Sequence, residues 1–221
     1  MRAFVYFLFA TCATAAVAAP LAVQVGEARI GMDAPPGFAD TGFTGSPRLQ
    51  ELAESLTSAS NRILLFAISD LDLRKFTVGD PPELRRYMIA VTPKSLERER
   101  VTPAMFGELA ADALRGLGAA APAEKDAKVY LDSQPAGRQS LLAEPRRDSG
   151  MLSFVQGTRL PPAGRFDEKP LYLLTSTTLI LLRGKALNLS VYSAYESPAD
   201  LDWIRSITVR WIGELQRLNN R

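Results

Sequence analysis

LYLLTSTTLILLRGKALNLSVYSAY, residues 171–195, followed at once by SPADLDWIRSITVRWIGELQRL, residues 197–218, decides the fold. The first stretch holds two long runs, 171–182 and 187–195, on either side of Arg183-Gly184-Lys185, which reads as a long β-hairpin. In its second strand Leu187, Leu189 and Val191 fall on one face and Asn188, Ser190 and Tyr192 on the other, because side chains alternate. The run 171–182 is too short for a membrane helix and too rich in Thr and Ser, so strand is the better reading. The second stretch switches period. Ile204, Ile207, Trp211, Leu215 and Leu218 recur at helical spacing, and Ser197-Pro198 supplies a start signal. Asp200 then sits in the first turn, at the positive end of the helix dipole. Short connections place consecutive elements side by side, so this helix is expected to pack on the hairpin and close the core.

Working outward, the same Ser/Thr-Pro signature opens two more helices. Ser46-Pro47 precedes Leu49, Leu52, Ala53 and Leu56 on one face. Thr102-Pro103 precedes Phe106, Leu109, Ala110, Ala113, Leu114 and Leu117, ending near Gly116 and Gly118. The continuous apolar run 63–68 reads as a central strand covered on both faces. Tyr87, Ile89 and Val91 alternate with Met88, Ala90 and Thr92 in another strand, and residues 151–158 and 23–32 are further candidates. Strands adjacent in sequence imply hairpins. The expected architecture is therefore one α+β domain over 19–221, a largely antiparallel β-sheet flanked by helices. Residues 119–150, dominated by Ala, Pro, Gly and charge, read as an irregular surface excursion in which only 129–131 is strand-like.

The order strand, helix, strand pair, helix, excursion, strand meander, terminal helix resembles small exported domains of the PsbP-like fold, which recur in bacterial envelope proteins. The resemblance spans most of the chain after residue 18. It is one of element order alone, so it implies a fold and assigns no functional residue.

The N-terminus reads as a secretory signal. Arg2 is the only charge before Glu27, an apolar stretch follows it, and Ala16-Val17-Ala18 matches a small-x-small cleavage pattern. Cleavage after Ala18 gives a signal peptide of 1–18. An uncleaved anchor over 3–26 and a lipoprotein signal ending at Cys12 are the competing readings. All three put the folded part outside the cytoplasm, in the periplasm or secreted. Arg far outnumbers Lys and Ala is abundant, a composition associated with GC-rich bacterial genomes. Cys12 is the only cysteine, so the exported domain relies on its hydrophobic core, with no disulfide.

The 26 basic and 24 acidic side chains nearly cancel, which argues against long-range attraction to nucleic acid or, after signal cleavage, strong membrane binding. Zero histidines removes Ser-His-Asp and Cys-His nucleophile systems and imidazole metal sites, and no cofactor is expected. No P-loop, Gly-x-Ser-x-Gly elbow or Ser-x-x-Lys dyad is present. Asp70 and Asp72, two apart at the end of the 63–68 strand, would project from one face and form a carboxylate pair. Asn188 and Tyr192 on the polar face of the hairpin are the candidate binding residues. The leading expectation is an exported, non-catalytic protein that binds or supports another envelope protein. The alternative is a carboxylate enzyme, for example acting on a glycan, with its site near Asp70 and Asp72.

Overall fold

The computed structural model describes residues 21–122, 126–161 and 170–220, so the expected signal peptide at 1–18 lies outside the described residues. A hairpin of β1 (Leu21–Val25) and β2 (Ala28–Met32) leads to the short β3 (Phe38–Asp40), a 3-10 turn (Thr41–Thr44) and α1 (Pro47–Ser55). Then come β4 (Asn61–Ser69), α2 (Asp70–Thr77), β5 (Arg86–Pro93), α3 (Pro103–Leu114) and α4 (Ala127–Asp132). The chain continues through β6 (Gln139–Leu141), β7 (Arg146–Asp148), β8 (Met151–Arg159), β9 (Tyr172–Leu182), β10 (Lys185–Ala194) and α5 (Pro198–Asn219). β1 and β2 pair only with each other. The other strands form one antiparallel sheet in the order β3-β4-β5-β10-β9-β8-β6, with β7 also pairing with β8. The α+β class and the hairpin-then-helix ending are as the sequence implies.

Arg183 and Gly184 make the β9–β10 turn, with φ of 51° and 74°. Positive φ at both central residues is the type I′ geometry, whose twist matches that of the flanking strands. The hairpin is therefore locked in register from Leu182 opposite Lys185 to Leu173 opposite Ala194. α5 lies on the face carrying Leu187, Leu189 and Val191, and buries Ile204, Ile207, Trp211 and Leu215 there. Each such side chain contributes about 1.5–3 kcal/mol by leaving water. The β1–β2 hairpin covers the β4–β5 end of the same face through Val25, Ile30 and Met32. Two polar contacts pin it to α5. The Trp211 indole N–H donates to the Asp33 carbonyl at 2.9 Å, and the Asn219 side chain both accepts from and donates to the Gly31 backbone.

The opposite face has two separate covers. α1 packs Leu49 and Ala53, with Leu73 and Phe76 of α2, against Phe66, Ile68, Tyr87, Ile89 and Val91. α3 and the following Leu117 pack against Leu141, Leu152, Phe154 and Leu179. No helix among the described residues is long and apolar enough to cross a membrane.

Four expectations need correction. The 63–68 strand is not central. β4 lies second from the β3 edge, and its continuous apolar run reflects cover by helices on one face and the β1–β2 hairpin on the other. Residues 23–32 form a hairpin, not one strand. Residues 129–131 are helical, because the Asp126 carboxylate accepts from the N–H groups of Lys128 and Val129 and starts α4. The excursion is accordingly built rather than irregular, carrying α4, β6 and β7, with Leu131 fully buried. The hydroxyl caps also differ. Thr102 accepts from the Met105 N–H, whereas Ser46 makes no such bond, and at α5 the Asp200 carboxylate accepts from the Glu196 and Ser197 N–H groups.

Candidate functional site

The ladder register assembles the site. Side chains directly opposite one another in antiparallel strands share a face. One row across the sheet therefore reads Gln156, Thr175, Tyr192, Tyr87 on β8, β9, β10 and β5. The next reads Phe154, Thr177, Ser190, Ile89, and the one beyond it Leu152, Leu179, Asn188, Val91. These rows run beneath the gap between the α1–α2 cover and the α3 cover. Their middle, Thr175, Thr177, Ser190 and Asn188, belongs to neither apolar cluster. The result is a polar band between helical covers, a narrow groove whose Gln156, Thr175 and Ser190 are buried and whose Thr177 and Asn188 are half-buried.

The floor is uncharged. Ser190 Oγ donates to Asn188 Oδ1 at 3.3 Å. Gln156 and Thr175 are buried, at 7% and 8% exposure, and Thr177 is half-buried; none makes a side-chain hydrogen bond to another described residue. A buried polar group without a partner is costly, so unpaired hydroxyls and amides beside a core call for a water or for something that replaces it. The rings of Tyr87 and Tyr192 stack with centroids 4.4 Å apart and 10° between planes. Burial pushes both phenols above their ordinary value; the neighbouring Tyr192 adds to this at Tyr87, and the Ser190 hydroxyl tempers it at Tyr192. Both stay protonated at neutral pH and act as hydrogen-bond donors, not bases. At the Asn188 end a small apolar cavity of about 190 Å³ separates α3 from the sheet, with Val91, Pro93, Phe106, Leu109 and Asn188 in its wall. Hydroxyls, amides and a flat aromatic pair suit binding. Apart from these two protonated phenols, the three rows carry no titratable side chain.

Asn188 and Tyr192 thus share one face, as their spacing implies, and both are half-buried. Asp70 and Asp72 are elsewhere and do not form the expected strand-end pair. They occupy the first turn of α2, where residues two apart point about 200° from each other. Asp72 is buried and committed to holding the turn: its carboxylate accepts from Ser69 Oγ at 2.9 Å and from the Glu83 N–H at 2.9 Å. Asp70 is exposed. Among the described residues no group of three or more Cys, Asp or Glu side chains is placed to hold a metal ion.

Gln156, Thr175, Thr177 and Tyr87 are floor residues that sequence reasoning missed. One signal for two of them was present, since Thr175-Ser176-Thr177-Thr178 interrupts the most apolar strand of the chain. Compared with protein-family models, with curated proteins and with solved structures, the chain matches none.

Proposed function

We propose that this chain is an exported, non-catalytic protein of the bacterial envelope that binds or supports another envelope protein through the groove on its sheet face. One observation carries the reading: the uncharged patch of Gln156, Thr175 and Thr177, whose side chains have no hydrogen-bond partner among the described residues, beside the stacked Tyr87 and Tyr192. Export is supported by Arg2, the apolar stretch after it and Ala16-Val17-Ala18. The PsbP-like resemblance in element order fits a small envelope domain of this kind.

Site-specific photo-crosslinking in cells of the source organism tests it. The photoreactive p-benzoylphenylalanine replaces Thr177 in one variant and Val209, exposed on α5, in another. A discrete adduct with another envelope protein at position 177 and none at 209, on a chain whose intact mass lacks residues 1–18, is the expected result. The same adducts at both positions, or a full-length product in the cytosol, would overturn the proposal.

A further inference from the structure

The β3 edge of the sheet is unfinished. β3 pairs with β4 only through Phe38, Ala39 and Asp40, opposite Ser69, Ile68 and Ala67. The chain then turns away at Thr41–Thr44 and Gly45 into α1, so residues 61–66 of β4 have no partner strand on that side among the described residues. Only the Phe66 carbonyl is met there by a side chain, the Thr41 hydroxyl at 3.0 Å. Beside this stretch lies a cleft of about 680 Å³. Its walls are the two layers that sandwich the sheet. Leu21 of the β1–β2 hairpin stands on one side, and Gln50 and Glu54 of α1 stand on the other.

We infer that this slot takes an extended peptide segment, which adds to β4 as the continuation of β3. The Asn61 N–H is taken by the Ser58 carbonyl and the ladder to β5 bulges between Ile63 and Leu65, which leaves 62–66 as the stretch without a strand partner on this side among the described residues. Backbone groups without such a partner call for a strand, and strand addition is a recurrent mode of peptide recognition. Five residues of edge span about 17 Å at ~3.3 Å per residue.

The walls also describe the segment. Its side chains alternate between an apolar wall, Leu21 and Leu64, and a polar one, Gln50, Glu54 and Thr57. A strand running antiparallel to β4, as β3 does, starts beside Asp40 and ends beside Arg62 and Lys94. Arg62 already pairs with Glu97, and Lys94 donates to the Ala59 carbonyl at 2.7 Å, yet both cations keep spare donors for a carboxylate. The occupant is an alternating apolar–polar segment with an acidic C-terminal end. This site shares no lining residue with the groove floor.

The probe is a pool of acetylated octapeptides that alternate Val, Ile or Leu with Thr, Ser or Asn and end in Asp. Two further pools carry N-methyl groups on alternate amides, one in each phase. Strand addition uses one phase of amides and leaves the other pointing out. Calorimetry should therefore show binding by the parent pool, a loss of about tenfold or more for one methylated pool, and near-parent affinity for the other. Amide exchange of residues 62–66 should slow when the parent pool is bound. Gln50→Trp, at an exposed position on α1, should fill the slot and abolish binding while leaving the thermal midpoint unchanged. Tyr192→Ala, in the groove, should bind as wild type does. No binding of the parent pool at about 1 mM, or equal binding of both methylated pools, would overturn the inference.

Discussion

Replacing Trp211 by Ala tests the packing that makes the hairpin and α5 one unit. Trp211 is 1% exposed, sits among the side chains that α5 presents to β9 and β10, and donates its indole N–H to the Asp33 carbonyl. Emptying a buried aromatic site costs about 3–5 kcal/mol, because the walls collapse only partly into the space. The lost hydrogen bond adds about 0.5–1.5 kcal/mol. Asp33 is exposed, so water can replace the indole at its carbonyl and the lower figure applies. The total is about 4–5 kcal/mol, a large share of the 5–15 kcal/mol or so that holds a domain folded. At ~2–4 °C per kcal/mol for a chain of this size, the thermal midpoint should fall by roughly 10–15 °C.

Two companion variants make the figure diagnostic. Trp211→Phe keeps most of the ring and loses the donor, and should cost about 1–2 kcal/mol. Arg210→Ala, one residue away and exposed, should stay within about 0.5 kcal/mol. Urea unfolding followed by far-ultraviolet circular dichroism measures all three. The expected order of loss is Trp211→Ala, then Trp211→Phe, then Arg210→Ala. Coincident midpoints for Trp211→Ala and wild type would refute the reasoning, since α5 would then contribute nothing to the core it lies on.

Leu131→Ala should cost about 2–4 kcal/mol, since Leu131 is fully buried against β8; a change near zero by urea titration would mean that α4 is not docked. Gly157→Ala should cost about 1–3 kcal/mol, because a methyl group there would meet the Leu131 side chain at 2.8 Å. Burial, and then the Asp132 carboxylate that accepts its proton at 2.6 Å, push the Tyr172 phenol up to about 12. A tyrosine raised from about 10 in the unfolded chain contributes stability that is whole below pH ~10 and fades as pH approaches ~12. Urea midpoints across that window should fall less steeply for Tyr172→Phe than for wild type, and parallel slopes would show that Tyr172 carries none of the effect.

What was legible in the sequence follows from how far each element's signal reaches. The β9–β10 hairpin and α5 announce themselves because each is long enough for its own period, two and then 3.6, to repeat several times. β3 has three residues and α4 six, too few for either period to emerge, and in α4 the β-branched Val129 pulls the reading toward strand. The start of α2 did carry a signal. Ser69 followed three residues later by Asp72 is a capping arrangement, and it outweighs the strand-end reading once the helix is recognised. The site itself was half legible. Alternation alone puts Asn188 and Tyr192 on one face of β10. That β5 should lie beside β10 is a pairing between distant segments, which no local pattern encodes, so Tyr87 could not be placed against Tyr192 in advance.

The two faces of the sheet treat their polar side chains differently, and that difference separates packing from function. On the α5 side, polar groups within the apolar layer largely satisfy one another. Thr178 and Ser153 share a hydrogen bond at 2.8 Å, Thr92 donates to the Ala186 carbonyl, and Asn219 makes bonds to Gly31 and Leu215. The Ser140 and Ser176 hydroxyls are exceptions, and both are sealed from solvent. On the groove side Gln156, Thr175 and Thr177 lie beside apolar clusters and lack side-chain partners among the described residues. Valine in place of either threonine would bury the same shape without a polar group to satisfy, so core stability gives no reason for the hydroxyls. The proposed partner would give one, because it would supply the hydrogen bonds that are missing there.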